Sequence, residues 1–404
     1  IAEKNQSTPT IKSKPEWFSI KQGLSQGMVS SVIQDKEGFM WFATKDGLNR
    51  YDGYKVKVFR HTKDSLSLPE NYISSLLEDD YGNFWVGTNS KGVYLFDKRS
   101  EKFFLFHACI PRIGEIKFSD NKLFIRELNN LFCYEIKGKI NTTNSTSPLP
   151  KKLILNFTNE AKKQDPSIEK DYNFTLHIFP TSKFIICRQH ELSEWSYQEK
   201  NARWIKKELP AKDLKINEKN WSRHGFAQFA KLPDSLYILN DNEIQVYDIK
   251  HNKITYRIDL PNKSNVILLN YYNCISDSEL YFRLNNSFVM FNIHTQKFQL
   301  LYDSPNALTD NQELFFPYFD KNGILWQGSN GWGVYKTDLR TEQFTILKSK
   351  FSWNSMMQEC LPSTDRLPLH LIDDYYFPVK RLVKDSLQRY WYLKSKNGLQ
   401  LYCY

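Results

Sequence analysis

Histidine and cysteine are the residue types of this chain best suited to moving protons or holding a metal. Its eight histidines, His61, His107, His177, His190, His224, His251, His294 and His370, include no close pair. The six cysteines, Cys109, Cys133, Cys187, Cys274, Cys360 and Cys403, form no Cys-x-x-Cys pair and have no histidine at metal-ligand spacing. They read as small buried hydrophobes. The carboxylate clusters Glu78-Asp79-Asp80 and Asp373-Asp374 have the residue types for acid–base chemistry or Ca²⁺ binding. Neither has convergent partners, so both read as solvated turns. No G-x-S-x-G elbow, H-E-x-x-H pair, Walker loop or G-x-G-x-x-G run occurs. No catalytic residue, metal or cofactor is therefore assigned. Trp332 stands apart, because an indole inside the turn "SNGWGVY" suits stacking on a ligand as well as packing on a rim.

The elements that position these residues repeat along the chain, and repeats govern the reading of any fold that contains them. Residues 29–53 read "VSSVIQDKEGFMWFATKDGLNRYDG" and residues 73–97 read "ISSLLEDDYGNFWVGTNSKGVYLFD". The same grammar returns at 318–338 and, more loosely, at 382–404. Asp35 with Gly38, Asp79 with Gly82 and Asp320 with Gly323 suit a tight hairpin, since Asp bonds nearby backbone amides and Gly accepts positive φ. Trp41, Trp85, Trp326 and Trp391 follow in the second strand, where a wide ring fills the space between adjacent sheets. Gly47, Gly92, Gly333 and Gly398 mark the next hairpin. Third and fourth strands complete a meander of about 45 residues, the length of a propeller blade.

The middle of the chain keeps the meander without the Trp, at 122–136, 183–197, 235–249 and 279–293. The expected fold is an all-β propeller of four-stranded antiparallel blades. Blades are expected near 28–59, 72–107, 113–156, 172–206, 221–258, 266–301 and 313–347, after a tail at 1–15. A connection at 348–379 leads to an eighth repeat at 380–404. The seventh blade's fourth strand is expected in "QFTIL", and long steps place insertions at about 137–172, 206–222 and 348–378. Closure has two readings. The strand "EWFSI" at 16–20 completes the eighth repeat in an eight-bladed ring, or seven blades close through 347 and the eighth repeat opens a second propeller.

Composition narrows the partners. Aromatics make up 15% of residues, which suits half-buried pleated surfaces. No apolar run is long enough to span a membrane, and the polar opening has no signal-like core. The formal charge of +10 raises the question of an acidic partner, but it sits in turns rather than in a stripe. It reads first as a soluble basic surface and second as a tilt toward an acidic ligand, and nucleic acid is not expected. In a propeller the hairpin between second and third strands opens on the same face as the inter-blade connection. That face is expected to present Lys45, Asp46, Asn89, Ser90, Lys91, Asn129, Asn130, His190, Asn242, Asn285, Asn330, Trp332, Lys396 and Asn397. Amides, a few bases and one Trp suit a hydroxyl-rich ligand.

The quoted segments resemble the two-component regulator propeller repeats of bacterial hybrid two-component sensors. The likeness is closest at 23–53, where Gly23, Leu24, Ser25, "MWFAT" and "DGLNRYDG" run in that family's order, and continues through "SLSLPENYISSLLEDDYGNFWVGT". The resemblance implies a non-catalytic periplasmic sensor region belonging to an inner-membrane receptor with histidine kinase activity elsewhere in its polypeptide. It also implies recognition of a poly- or oligosaccharide and signalling through a homodimer. A polysaccharide lyase or glycosidase, or a ligand-free scaffold, are the competing readings.

Overall fold

The computed structural model describes residues 16–109, 113–127, 130–143 and 314–338 continuously, and elsewhere chiefly the strands given below. The expected tail at 1–15 and connection at 348–379 lie outside the described residues. The chain divides into two compact units, 1–339 and 340–404.

The first unit is a β-propeller whose antiparallel sheets follow one another in sequence. Blade 1 comprises Val29–Gln34, Met40–Thr44, Gly47–Tyr51 and Val56–Phe59, hydrogen-bonded in that order. Blade 2 is Ile73–Glu78, Phe84–Thr88, Val93–Asp97 and Lys102–His107. Blade 3 is Ile113–Ser119, Lys122–Glu127, Asn130–Glu135 and Lys152–Asn156, and blade 4 is Phe174–Ile178, Lys183–Arg188, Glu191–Gln198 and Arg203–Leu209. Three described strands represent each of the next two: Ser235–Leu239, Glu243–Asp248 and Lys253–Asp259 in blade 5, and Glu279–Leu284, Ser287–Asn292 and Lys297–Asp303 in blade 6.

Blade 7 decides the closure. Leu314–Phe319, Ile324–Ser329 and Val334–Asp338 are joined on their outer edge by Glu16–Phe18, with Glu16 opposite Lys336, Trp17 opposite Tyr335 and Phe18 opposite Val334. The N-terminal strand thus completes the seventh repeat and not the eighth. Phe18 lies in one core cluster with Phe42 of blade 1 and Trp326 of blade 7, so the last sheet packs on the first. On its other side blade 7 packs Leu325 and Tyr335 against Phe288 of blade 6. With that outer edge occupied, the "QFTIL" segment takes another partner. Thr345–Ile346 pairs with Arg381–Lys384, in a sheet continued by Tyr390–Ser395 and Leu399–Cys403 in the second unit.

The hairpin between first and second strands is built the same way three times. The Asp35 carboxylate accepts the Phe39 amide at 2.9 Å and the Trp41 indole Nε1–H at 2.8 Å, while Gly38, at φ 97°, donates to the Asp35 carbonyl. Asp79 with Trp85 and Asp320 with Trp326 repeat the pattern at 3.0 Å. The rings then fill the seams. Trp41 meets Phe84 and Phe96 of blade 2, and Trp85 shares a cluster with Ile113 and Ile116 of blade 3. Burying a large aromatic contributes about 2–3 kcal/mol, so these seams supply much of the cohesion between blades.

The same turns are clipped to their neighbours. The Lys321 amide donates to the Gln34 side chain at 2.7 Å and the Lys36 amide to Glu78 at 2.6 Å, one blade further on. Lys98 of blade 2 contacts Asp35 at 3.1 Å and both Glu37 and Glu78 at 3.0 Å. Burial alone would lower the Lys98 ammonium, but Glu37, Glu78 and Asp35 hold it above the usual lysine range.

Candidate functional site

A second repeated device shapes the opposite end of the blades. A hydroxyl residue closes the second strand of blades 1, 2 and 7, and its oxygen donates across the hairpin to a glycine carbonyl. Thr44 reaches Gly47 at 2.9 Å, Thr88 reaches Gly92 at 2.9 Å, and Ser329 reaches Gly333 at 2.8 Å. Each hydroxyl also accepts the amide of a turn-tip residue at 3.0 Å: Asp46 in blade 1, Lys91 in blade 2 and Trp332 in blade 7. Three dissimilar side chains are therefore carried at the position just before the hairpin glycine, on a turn one residue shorter in blade 1 than in blades 2 and 7.

Glycine is required at the base of this turn. A Cβ on Gly333 would come within 2.3 Å of the Phe18 carbonyl oxygen, and one on Gly47 within 2.4 Å of that of Phe59. Phe18 and Phe59 end the outermost strands of blades 7 and 1, so the hairpins and the chain crossing to the next blade meet on one face. The crossings are tied to the hairpins by main-chain bonds, Gly333 N–H to Gly27 at 2.7 Å and Gly47 N–H to Asn71 at 2.8 Å. Asn49, fully buried, fastens the first crossing: its Oδ1 accepts the Ser25 amide and its Nδ2 donates to Ser25 Oγ, both at 2.9 Å.

The expected ligand-facing residues divide by what they touch. Trp332 projects with 57% of its surface exposed, and Asn330 beside it is exposed while its backbone bridges to Met28. Lys91 is exposed. Lys45 lies over the Tyr72 ring, 5.4 Å from its centre. Asp46 is engaged by Arg60 at 3.0 Å and by Asn71 at 3.4 Å. The Asn89 amide donates to the Tyr72 carbonyl at 3.0 Å, and Ser90 bonds the Glu70 carboxylate through its amide and its hydroxyl. Asn130 is half-buried. Asn129, His190, Asn242, Asn285, Lys396 and Asn397 lie outside the described residues.

Arg60, Glu70, Asn71 and Tyr72 belong to this face and were not among the expected residues. The signal was present, since they sit in the crossing segment that ends "SLSLPENY", and crossings open on this face. A further group was also missed. At the blade 2–blade 3 seam, buried His107 contacts Tyr134 Oη through Nδ1 and Glu127 Oε1 through Nε2, both at 2.6 Å. Burial alone would raise the Glu127 carboxyl, but hydrogen bonds from His107 and Cys109 hold it below the usual carboxylate range. Burial, aided by Glu127, pushes the Cys109 thiol up, so it stays protonated and unreactive.

Tyr134 is only 2% exposed and His107 is buried, while Glu127 keeps partial exposure at the seam. Among the described residues no cluster of His, Cys, Asp and Glu is arranged to hold a metal ion, and no helix is long and apolar enough to cross a membrane. Accessible on this face, among the described residues, are the Trp332 indole, the Asn330 amide, the Lys91 ammonium and the Arg60–Asp46 ion pair.

Comparison with known proteins gives these repeats a family. Residues 23–46 and 67–90 match the two component regulator propeller family. A segment of 52 residues is 44% identical to Histidine kinase P4 of Formosa agariphila, covering 13% of this chain and 4% of that protein. Among solved structures, the extracellular domain of B. thetaiotaomicron BT3049, a hybrid two component system by its description, superposes with a TM-score of 0.55 at 16% identity. It covers 98% of this chain and 53% of that one. The extracellular domain of BT4673 from the same organism gives 0.57 at 15% identity, over 97% and 48%. The WD40 propeller domain of Doa1 gives 0.51 at 11% identity, over 78% and 93%. At these identities the structural likeness is one of fold. The chain spans about half the length of the two extracellular domains.

Proposed function

We propose that this chain, which carries two-component regulator propeller repeats, is the extracytoplasmic, non-catalytic sensing region of a two-component receptor, and that it binds an oligosaccharide on its hairpin face. The observation that carries this reading is the shared hydroxyl-caged turn, which presents Trp332, Lys91 and Asp46 just before the hairpin glycine on one face. An exposed indole offers a flat apolar platform to the C–H face of a sugar ring. Lys91 and Lys45 offer donors to hydroxyl or acidic groups, and the charge of +10 favours an acidic saccharide. The histidine kinase relative and the extracellular domains of similar fold support placement outside the cytoplasm within a larger receptor; that it lies in the periplasm and signals as a dimer is part of what we propose.

Calorimetry of the intact extracytoplasmic region, beside this chain, against neutral, sulfated and uronic oligosaccharides tests the proposal. Binding of an acidic oligosaccharide is expected, weakened about tenfold or more by Trp332→Ala, as befits removal of a central aromatic contact. Failure of every glycan to bind the intact region, or binding indifferent to Trp332, Lys45 and Lys91, overturns it.

A further inference from the structure

We propose that Asn330 is a site of spontaneous covalent modification in the folded protein, converting to aspartate and isoaspartate on the face that carries Trp332. The step needs only water. The Gly331 amide nitrogen bonds to the Asn330 side-chain carbonyl carbon, the bond from that carbon to Nδ2 breaks, and ammonia leaves with the amide proton. Water then opens the cyclic imide. Opening at the side-chain carbonyl restores the backbone and leaves aspartate. Opening at the main-chain carbonyl routes the chain through the side chain as isoaspartate.

The reaction favours Asn followed by Gly, because a residue without a Cβ lets its nitrogen approach the preceding side chain. The chain has three such pairs, Asn322-Gly323, Asn330-Gly331 and Asn397-Gly398, the last outside the described residues. The structure separates the first two. In the first pair the attacking nitrogen is already committed: Gly323 N–H donates to the Asp320 carbonyl at 2.9 Å, and Asn322 N–H donates to Asp320 Oδ1 at 2.9 Å. Asp320 is in turn fixed by Trp326.

In the second pair both residues are exposed at the hairpin tip, and nothing lies within 4 Å of where a Gly331 Cβ would stand. Gly331 has φ 121°, a region open to glycine, and the imide has room to form. The turn is held by Ser329 Oγ with the Gly333 carbonyl and the Trp332 amide, and by the backbone bridge of Asn330 to Met28, while the Asn330 side chain stays exposed. Conversion replaces a neutral amide with a carboxylate beside Trp332, and isoaspartate adds a methylene to the backbone of the turn. The modification therefore alters the charge and shape of this face whatever it binds.

The test uses the full chain, incubated at mildly alkaline pH in native buffer and in denaturant. Cleavage after Lys321 and Lys336 releases one peptide that contains both pairs, and fragment masses assign each amide-to-acid conversion. In native buffer Asn330 is expected to convert on the order of tenfold faster than Asn322, with the two rates converging in denaturant once the turn bonds are gone. The Asn330→Gln variant is expected to lose the native-state increment. No conversion at Asn330 in the native chain, or conversion of Asn322 at an equal or greater rate, overturns the proposal.

Discussion

The Trp41 indole donates to the Asp35 carboxylate at 2.8 Å with both residues fully buried, which makes the pair a single structural unit of the blade. A carboxylate this deep is tolerable only when its oxygens are met by donors. Asp35 meets the Phe39 amide, the Trp41 indole and, from blade 2, the Lys98 ammonium at 3.1 Å. Asp35→Ala leaves the Trp41 indole and the Phe39 amide without their acceptor and removes one of the three carboxylates around Lys98, and is expected to destabilise the chain by about 3 kcal/mol. Asp35→Asn, which keeps one acceptor oxygen, is expected to cost less. In a double-mutant cycle with Trp41→Phe, urea midpoints should show a coupling of about 1 kcal/mol. An Asp35→Ala variant as stable as its parent would sink this account.

That unit was legible as a spacing, Asp then Trp six residues on, because it lies within one hairpin and recurs. The tip residues Asp46, Lys91 and Trp332 were legible for the same reason. The partner of Glu16–Phe18 was not. A short apolar segment fits the edge of any blade, and what selects blade 7 is the contact of Phe18 with Phe42, Tyr51 and Trp326, made by residues far apart in the chain. The His107–Glu127 contact escaped for a similar reason: the two lie in different blades and belong to no repeated motif.

Asn49 explains why "GLS" and "LNRYDG" travel together in the first repeat. Its side chain bonds the Ser25 amide and hydroxyl and also reaches the Phe42 and Gly47 carbonyls, while Leu24 sinks into the core alongside. Asn49→Ala strands several buried groups at once and is expected to cost about 2–3 kcal/mol. Hydrogen exchange should show faster exchange at the Ser25 amide in this variant. A Ser25 amide equally protected in both proteins would contradict the assignment.

Closure rests on three residue pairs, so a single anchor carries much of it. Phe18 is 8% exposed and packs on Phe42, Tyr51 and Trp326. Phe18→Ala is expected to destabilise the first unit by about 3 kcal/mol through the cavity it leaves at the seam between blades 7 and 1. Exchange of the Val334 and Lys336 amides, the alternate positions that face Glu16–Phe18, is the local readout. Ile20→Ala, one crossing residue away and 60% exposed, is expected to change stability by less than about 0.5 kcal/mol and serves as the control.

Glu127 gives the blade 2–blade 3 seam an acid-sensitive term. Its carboxyl is held below the usual range despite burial, through hydrogen bonds from His107 and Cys109. A depressed folded-state value means that the unfolded chain takes up the proton first as pH falls. The stabilisation from Glu127 is therefore complete above the unfolded carboxyl value of about 4.3 and is lost as pH drops through the lower folded value. Replacing the carboxylate by Glu127→Gln removes this term, so the variant is expected to be less stable at pH 7 by about 1–2 kcal/mol. It should also lose stability less steeply than the parent below pH about 4.3. Urea unfolding across the acid range reads both effects. Parallel pH profiles for parent and variant would place the acid sensitivity elsewhere, with Asp97, whose carboxyl Ser100 and Thr142 hold low against the effect of burial, as the next group to vary.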